Sequence, residues 1–172
     1  MSETRIRPIT RAALQKAGYL YADTVQEAFG KYEGGILSAQ TREDMREFLR
    51  EVERQNQGAM YGDFYYPVLE REQKEAFLAG LSLDQRRTLE TLDTEAGEIY
   101  FPVSGEVLDL LFEITASEWL FSSFYGGRRK VLIWGNYGLQ FPIFCEDEET
   151  MGFYRELVGN YRVTVSYTHL TL

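Results

Sequence analysis

The chain has 172 residues, a length that suits one domain, and at that size a core forms without metal or disulfide staples. Its residues are 44% hydrophobic and 15% aromatic, which excludes a disordered chain, and its single cysteine, Cys145, excludes an internal disulfide. The net charge of −9 excludes a protein whose body is broadly attracted to phosphate backbones or anionic lipid, so neither direct nucleic-acid binding nor membrane association is expected.

Positive charge gathers at the start, where Arg5, Arg7, Arg11 and Lys16 face only Glu3. This N-terminus has no apolar run of signal-peptide length. The most apolar stretch, Val107 to Tyr125, is interrupted by Asp109, Glu113 and Glu118. Carboxylates at that density do not suit a membrane span. The expected setting is cytoplasmic.

Taken in order, the elements predict an α+β fold. Thr10 caps a first helix to Phe29, with Leu14, Ala17, Tyr21, Val25 and Ala28 at helical spacing and Gly30 as its stop. Lys31 to Gln40 is expected to be a glycine-containing connection. Thr41 opens the clearest helix, on the stripe Met45, Phe48, Leu49 and Val52, and it closes at 55–58. Residues 59–66 suit a short strand or a packed aromatic loop. Two short helices follow, Val68 to Ala79 and one opened by the Ser82/Gln85 capping box. An acidic turn at 93–98 leads to a short strand, Ile99 to Val103, which Pro102 assigns to an edge.

Ser104 is expected to cap a central buried helix over about 104–124, apolar around most of its circumference. Gly126-Gly127 breaks it. Val131 to Trp134 and Leu139 to Cys145 then form a β-hairpin around Gly135-Asn136-Tyr137-Gly138. Glu146 to Glu149 place carboxylates at the start of a last helix, and Tyr161 to Thr164 is a final strand. The expected plan is a helix-rich first two thirds, then a small sheet built from the hairpin and the C-terminal helix and strand.

The chain ends in VSYTHLTL, residues 165–172. These residues resemble the translation of a sequencing-library transposase adapter, read GTC TCT TAT ACA CAT CTG ACG CTG. The resemblance implies a globular part at 1–164 truncated at its C-terminus, a non-native tail, a metagenomic gene of bacterial or phage source, and a natural chain that continues past Thr164. The sole histidine, His169, falls in this tail.

With His169 set aside, no histidine remains for a catalytic triad, a histidine base or a histidine metal site. No GxGxxG and no GxxxxGK[ST] motif is present. No cofactor is implied. Arg128, Arg129 and Lys130 follow two glycines and form a candidate anion site. Glu146, Asp147 and Glu149 form a candidate hard-cation site, although carboxylates at a helix start have their own electrostatic reason. Trp134, Tyr137 and Tyr161, near strand ends and turns, are candidate interaction residues.

The expected function is a non-enzymatic binding or regulatory module whose partner is another protein. Two alternatives remain at this stage. One is an enzyme using carboxylates with magnesium, or an anion site at 128–130. The other is an inhibitor mimicking nucleic acid, which requires a continuous track of carboxylates.

Overall fold

In the computed structural model the described residues are 4–167. One antiparallel sheet of seven strands runs through them, in the order β3-β2-β4-β5-β6-β1-β7. Its strands are β1 (Glu33–Ala39), β2 (Met60–Asp63), β3 (Tyr100–Pro102), β4 (Phe124–Gly126), β5 (Val131–Ile133), β6 (Gln140–Cys145) and β7 (Val163–Ser166). The helices are α1 (Arg11–Lys16), α2 (Val25–Lys31), α3 (Arg42–Asn56), α4 (Arg71–Ala79), α5 (Leu83–Glu90), α6 (Glu106–Ala116) and α7 (Glu148–Val158). The fold class is α+β.

Strand alternation divides the core in two. Leu37, Met60, Phe101, Phe124, Val131, Ile133, Phe141 and Ile143 point to one face. There they meet Phe48 and Val52 of α3, Leu111 and Phe112 of α6, and Met151 and Tyr154 of α7. The intervening residues Tyr100, Tyr125, Leu132 and Phe144 point to the other face. Leu14 of α1, Ala28 of α2 and the linking residues Leu20 and Ala22 cover them, with partly buried residues such as Val25 and Phe29 packed alongside. The sheet thus lies between a thick helical layer and a thin one.

Four expectations are corrected. The small C-terminal sheet is in fact a large one that draws strands from the whole chain. The stretch 31–40 is not a connection but β1, which sits between β6 and β7. Its glycines mislead because they serve close approach: a Cβ on Gly34 would lie 2.7 Å from the Phe29 ring.

The expected first helix is two helices. α1 ends on Gly18, at φ 91°, with Tyr19 N–H donating to Leu14 O and Gly18 N–H to Gln15 O. This is a Schellman ending with glycine in the left-handed position. α2 restarts on its own cap, Thr24, whose hydroxyl accepts from Glu27 N–H.

The central helix stops at Ala116, well short of 124. It too closes by a Schellman motif, with Trp119 N–H donating to Ile114 O and Glu118 N–H to Thr115 O. The left-handed residue here is Glu118, at φ 61°, so no glycine announces the end. The chain released by this stop becomes β4, in the middle of the sheet.

Other expectations match. The helix from Thr41 carries its buried stripe of Met45, Phe48, Leu49 and Val52. The Ser82/Gln85 capping box forms. β3 with Pro102 lies at an edge, and β5 pairs with β6. Asp147 caps α7. Val165 and Ser166 of the adapter-like segment pair with Leu37 and Ile36, while His169 lies outside the described residues.

Candidate functional site

On the thin side, the sheet places a carboxylate among aromatic rings. Asp63 is the last residue of β2 and is only 4% exposed. Alternation puts it on the same face as Tyr61, Tyr125 and Tyr100, and Tyr100 is its direct cross-strand partner. Its Oδ1 accepts from Ser123 N–H at 2.7 Å and its Oδ2 from the Tyr125 hydroxyl at 2.9 Å. The Tyr100 and Tyr125 rings meet edge to face at 5.8 Å.

Above Asp63 lies a cavity of about 190 Å³. Its walls are Tyr21, Ala22 and Asp23 of the α1–α2 linker, Tyr65 and Tyr100, and Phe121, Ser123, Tyr125, Trp134 and Gly135. Gly135 is required here: a Cβ at that position would lie 2.1 Å from Ser122 O. At the rim, Asp23 accepts from the Tyr21 hydroxyl at 3.0 Å and faces Arg11 at 3.7 Å. Among the described residues no cationic side chain forms an ion pair with Asp63.

Burial raises Asp63 from an ordinary value near 3.8 to about 7, against the opposing pull of its bonds from Ser123 and Tyr125. The surrounding hydroxyls move the same way. Burial lifts Tyr65 to about 12, and burial also raises Tyr100 and Tyr125 well above the usual tyrosine value, with the Asp63 charge adding to each. These tyrosines therefore stay protonated across the physiological range and present neutral hydroxyls to the cavity.

Two larger clefts are less suited to recognition. A groove of about 400 Å³ between α5 and α6 is lined by Asp84, Glu106, Asp109 and Glu113. Its Asp109 is already bonded to Arg50 at 2.7 Å, and its Glu113 is paired with Arg42 and Arg46. A cleft of about 470 Å³ beside α4 is lined by Leu69, Phe77, Trp119 and Leu120, with Gln73 as its polar side chain. It lacks converging polar groups to orient a ligand.

The sequence candidates fall in different places. Trp134 lines the Asp63 cavity. Tyr137 is 63% exposed, and its ring stands 4.6 Å from that of Phe121, another wall residue. Tyr161 lies away from both, donating to Glu51 at 2.6 Å and touching Phe48.

Arg128, Arg129 and Lys130 form the turn between β4 and β5. The amides of Arg128 and Arg129 both donate to Asn56 Oδ1 at 3.0 Å. The Arg129 guanidinium lies over the Phe153 ring at 4.2 Å. The amides of this turn are thus turned inward, while the two arginine side chains are exposed.

Glu146, Asp147 and Glu149 are exposed at the start of α7, and Asp147 accepts from Thr150 N–H at 2.8 Å. Among the described residues no three His, Cys, Asp or Glu side chains converge to hold a metal ion, so these three do not form such a cluster. Cys145 is buried, and desolvation raises its thiol to about 12.

Sequence reading missed Asp63. The available signal was its company in Tyr61-Gly62-Asp63-Phe64-Tyr65-Tyr66, a carboxylate inside an aromatic run, because charged residues are rarely buried without a reason. Comparison with known proteins finds no family model, no curated protein and no solved structure that matches this chain. Among the described residues, no helix is long and apolar enough to cross a membrane.

Proposed function

We propose that the protein is a non-enzymatic binding module that docks another protein over the aromatic mouth of the Asp63 cavity. One observation carries this reading: Tyr137 is 63% exposed and stands against Phe121, which lines the same cavity as Trp134. Tyr65, 42% exposed, lines the same cavity. Large aromatics left open around a concavity gain burial only when a partner covers them, and such residues dominate interface energetics. A cytoplasmic setting accords with the buried, unbridged Cys145.

The test is a titration of the purified chain with an array of short peptides of varied charge. Binding is expected at the cavity mouth, and Trp134→Ala or Tyr137→Ala is expected to weaken it at least ~10-fold, the range of an interface hot spot. Binding insensitive to both substitutions, or turnover across a broad substrate panel, overturns the reading.

One observation favours an enzyme as a second reading. A carboxyl held near 7 in a cavity has the property of a general acid or base. That reading requires a rate that breaks near pH 7 and vanishes in Asp63→Asn. The nucleic-acid mimic is less supported. Carboxylates on α3 and α6 alternate with Arg42, Arg46, Arg50 and Arg54, which pair with them.

A further inference from the structure

We infer that the Asp63 cavity receives an alkylammonium group, the end of a lysine side chain presented by the docked partner. This rests on the docking reading above and adds the chemistry of the anchor.

Size comes first. A cavity of about 190 Å³ is smaller than the roughly 300–1,000 Å³ of sites for drug-sized ligands. At about 30 Å³ per water it holds the equivalent of about six waters. That excludes a nucleotide or a sugar chain and suits the four methylenes and nitrogen of lysine.

Charge comes second. Asp63 forms the floor, and no cation of the described residues pairs with it. Arg11, the nearby cation, is engaged at the rim with Asp23 and Tyr21. An anion entering would meet Asp63 and Asp23. A cation would meet a buried carboxylate and the faces or edges of Tyr21, Tyr65, Tyr100 and Trp134, where desolvated cation–π contacts are strongest.

Lone-pair geometry then separates lysine from arginine. A carboxylate offers about four lone-pair positions. Ser123 N–H and the Tyr125 hydroxyl occupy one on each oxygen. A guanidinium is held best by two parallel bonds, one to each oxygen, and so needs both remaining positions open on the same edge of the carboxylate. An ammonium is a point donor that needs one free position on Asp63 and finds further acceptors in tyrosine hydroxyls. Tyr125, whose own hydrogen is committed to Asp63, is such an acceptor.

The raised value of Asp63 supports the inference and supplies a readout. An entering cation favours the ionised form, so binding below pH 7 displaces a proton. The groups facing Asp63 are the hydroxyls of Tyr21, Tyr65, Tyr100 and Tyr125, with Asp23 and Arg11 at the rim. Tyr65, Tyr100 and Tyr125 are all held above their usual range and take no part in that titration.

The experiment titrates the full chain with n-butylammonium chloride, with n-butanol as the neutral counterpart, and with the capped tripeptides Ala-Lys-Ala and Ala-Arg-Ala. The two indole N–H resonances are followed. Trp134 lines the cavity, while Trp119 lines the separate cleft beside α4 and serves as an internal control. The expected result is that n-butylammonium and the lysine peptide shift Trp134 and not Trp119. The peptide should bind at least ~10-fold tighter than the amine because neighbouring contacts add to it. Butanol should not bind.

Affinity should fall about 100-fold from pH 8 to pH 5, as expected for a site that must lose a proton held to about 7. Asp63→Asn should abolish binding while retaining the native circular dichroism. If that variant fails to fold, the pH profile of the unaltered protein still decides. Equal binding of butanol, a flat pH profile, or no n-butylammonium binding at roughly tenfold above a 1 mM dissociation constant overturns the inference. A preference for the arginine peptide, or n-butylammonium bound as tightly as the lysine peptide, overturns the assignment to a partner's lysine. Peptides that bind through Trp134 and Tyr137 without needing an ammonium leave the docking reading standing and remove only this anchor.

Discussion

Two buried polar side chains, Asn56 and Asp63, sit on opposite faces of the sheet and are treated differently by the fold. Asn56, fully buried at the end of α3, donates to Val52 O and the Tyr154 hydroxyl and accepts from the amides of Arg128 and Arg129. Both its hydrogens and both its acceptor positions are engaged. Tyr154 closes the circuit by donating to Arg129 O at 2.6 Å. Asp63 has two donors for about four positions, no countercharge among the described residues, and a cavity above it. A closed network fastens a helix to a turn. An open one retains capacity for something that arrives from outside. The difference between satisfied and unsatisfied capacity, rather than burial itself, marks the candidate site.

The comparison breaks most directly at Asn56. Asn56→Ala leaves the amides of Arg128 and Arg129 without their acceptor, at about 1–3 kcal/mol for each group stranded in the interior. A loss of about 3–5 kcal/mol in urea unfolding is expected, since such networks relax in part. A loss below about 1 kcal/mol means that the network does not hold the turn.

Asp63 should respond to pH where Asn56 cannot. Its folded value, about 7, exceeds the ordinary 3.8, so between these limits the native state keeps a proton that the unfolded chain has released. The stabilisation is fully present below about 3.8 and is lost as pH rises through about 7. The span amounts to as much as about 4 kcal/mol. Asp63→Asn, which preserves an acceptor for Ser123, should flatten that part of the profile and be more stable than the unaltered protein at pH 8. Parallel profiles for the two proteins would place Asp63 in a wetter setting.

Smaller effects sharpen the contrast. Gly135→Ala drives a methyl against Ser122 O, and a loss of about 1–3 kcal/mol in thermal unfolding is expected from the forced backbone shift. Tyr137→Ala touches only an exposed ring and should remain within about 0.5 kcal/mol of the parent. Its effect belongs to binding.

Local signals in the sequence were legible. Thr41 and the stripe it opens, the Ser82/Gln85 box, Pro102 at an edge and the carboxylates at the start of α7 each follow from local chemistry. What failed depended on distant neighbours. Gly34 reads as a loop until Phe29 is seen against it, and Glu118 gives no sign of a left-handed stop. The candidate site was half legible. Trp134 and Tyr137 stand out as aromatics beside a turn. Asp63 does not, because its surroundings arise only when β2, β3 and β4 come into register.

That β1 pairs with β6 and β7 has a kinetic consequence. Glu33 lies opposite Cys145, so the strand waits for more than half of the chain before its neighbours exist. During synthesis at about 5–20 residues per second, it spends seconds without a partner on either edge. Its two glycines, and the charged Glu33 at its start, make it a poor template for pairing with another chain in that interval. Closure of a sheet so dependent on remote pairings belongs to the slower range of folding, about milliseconds to seconds.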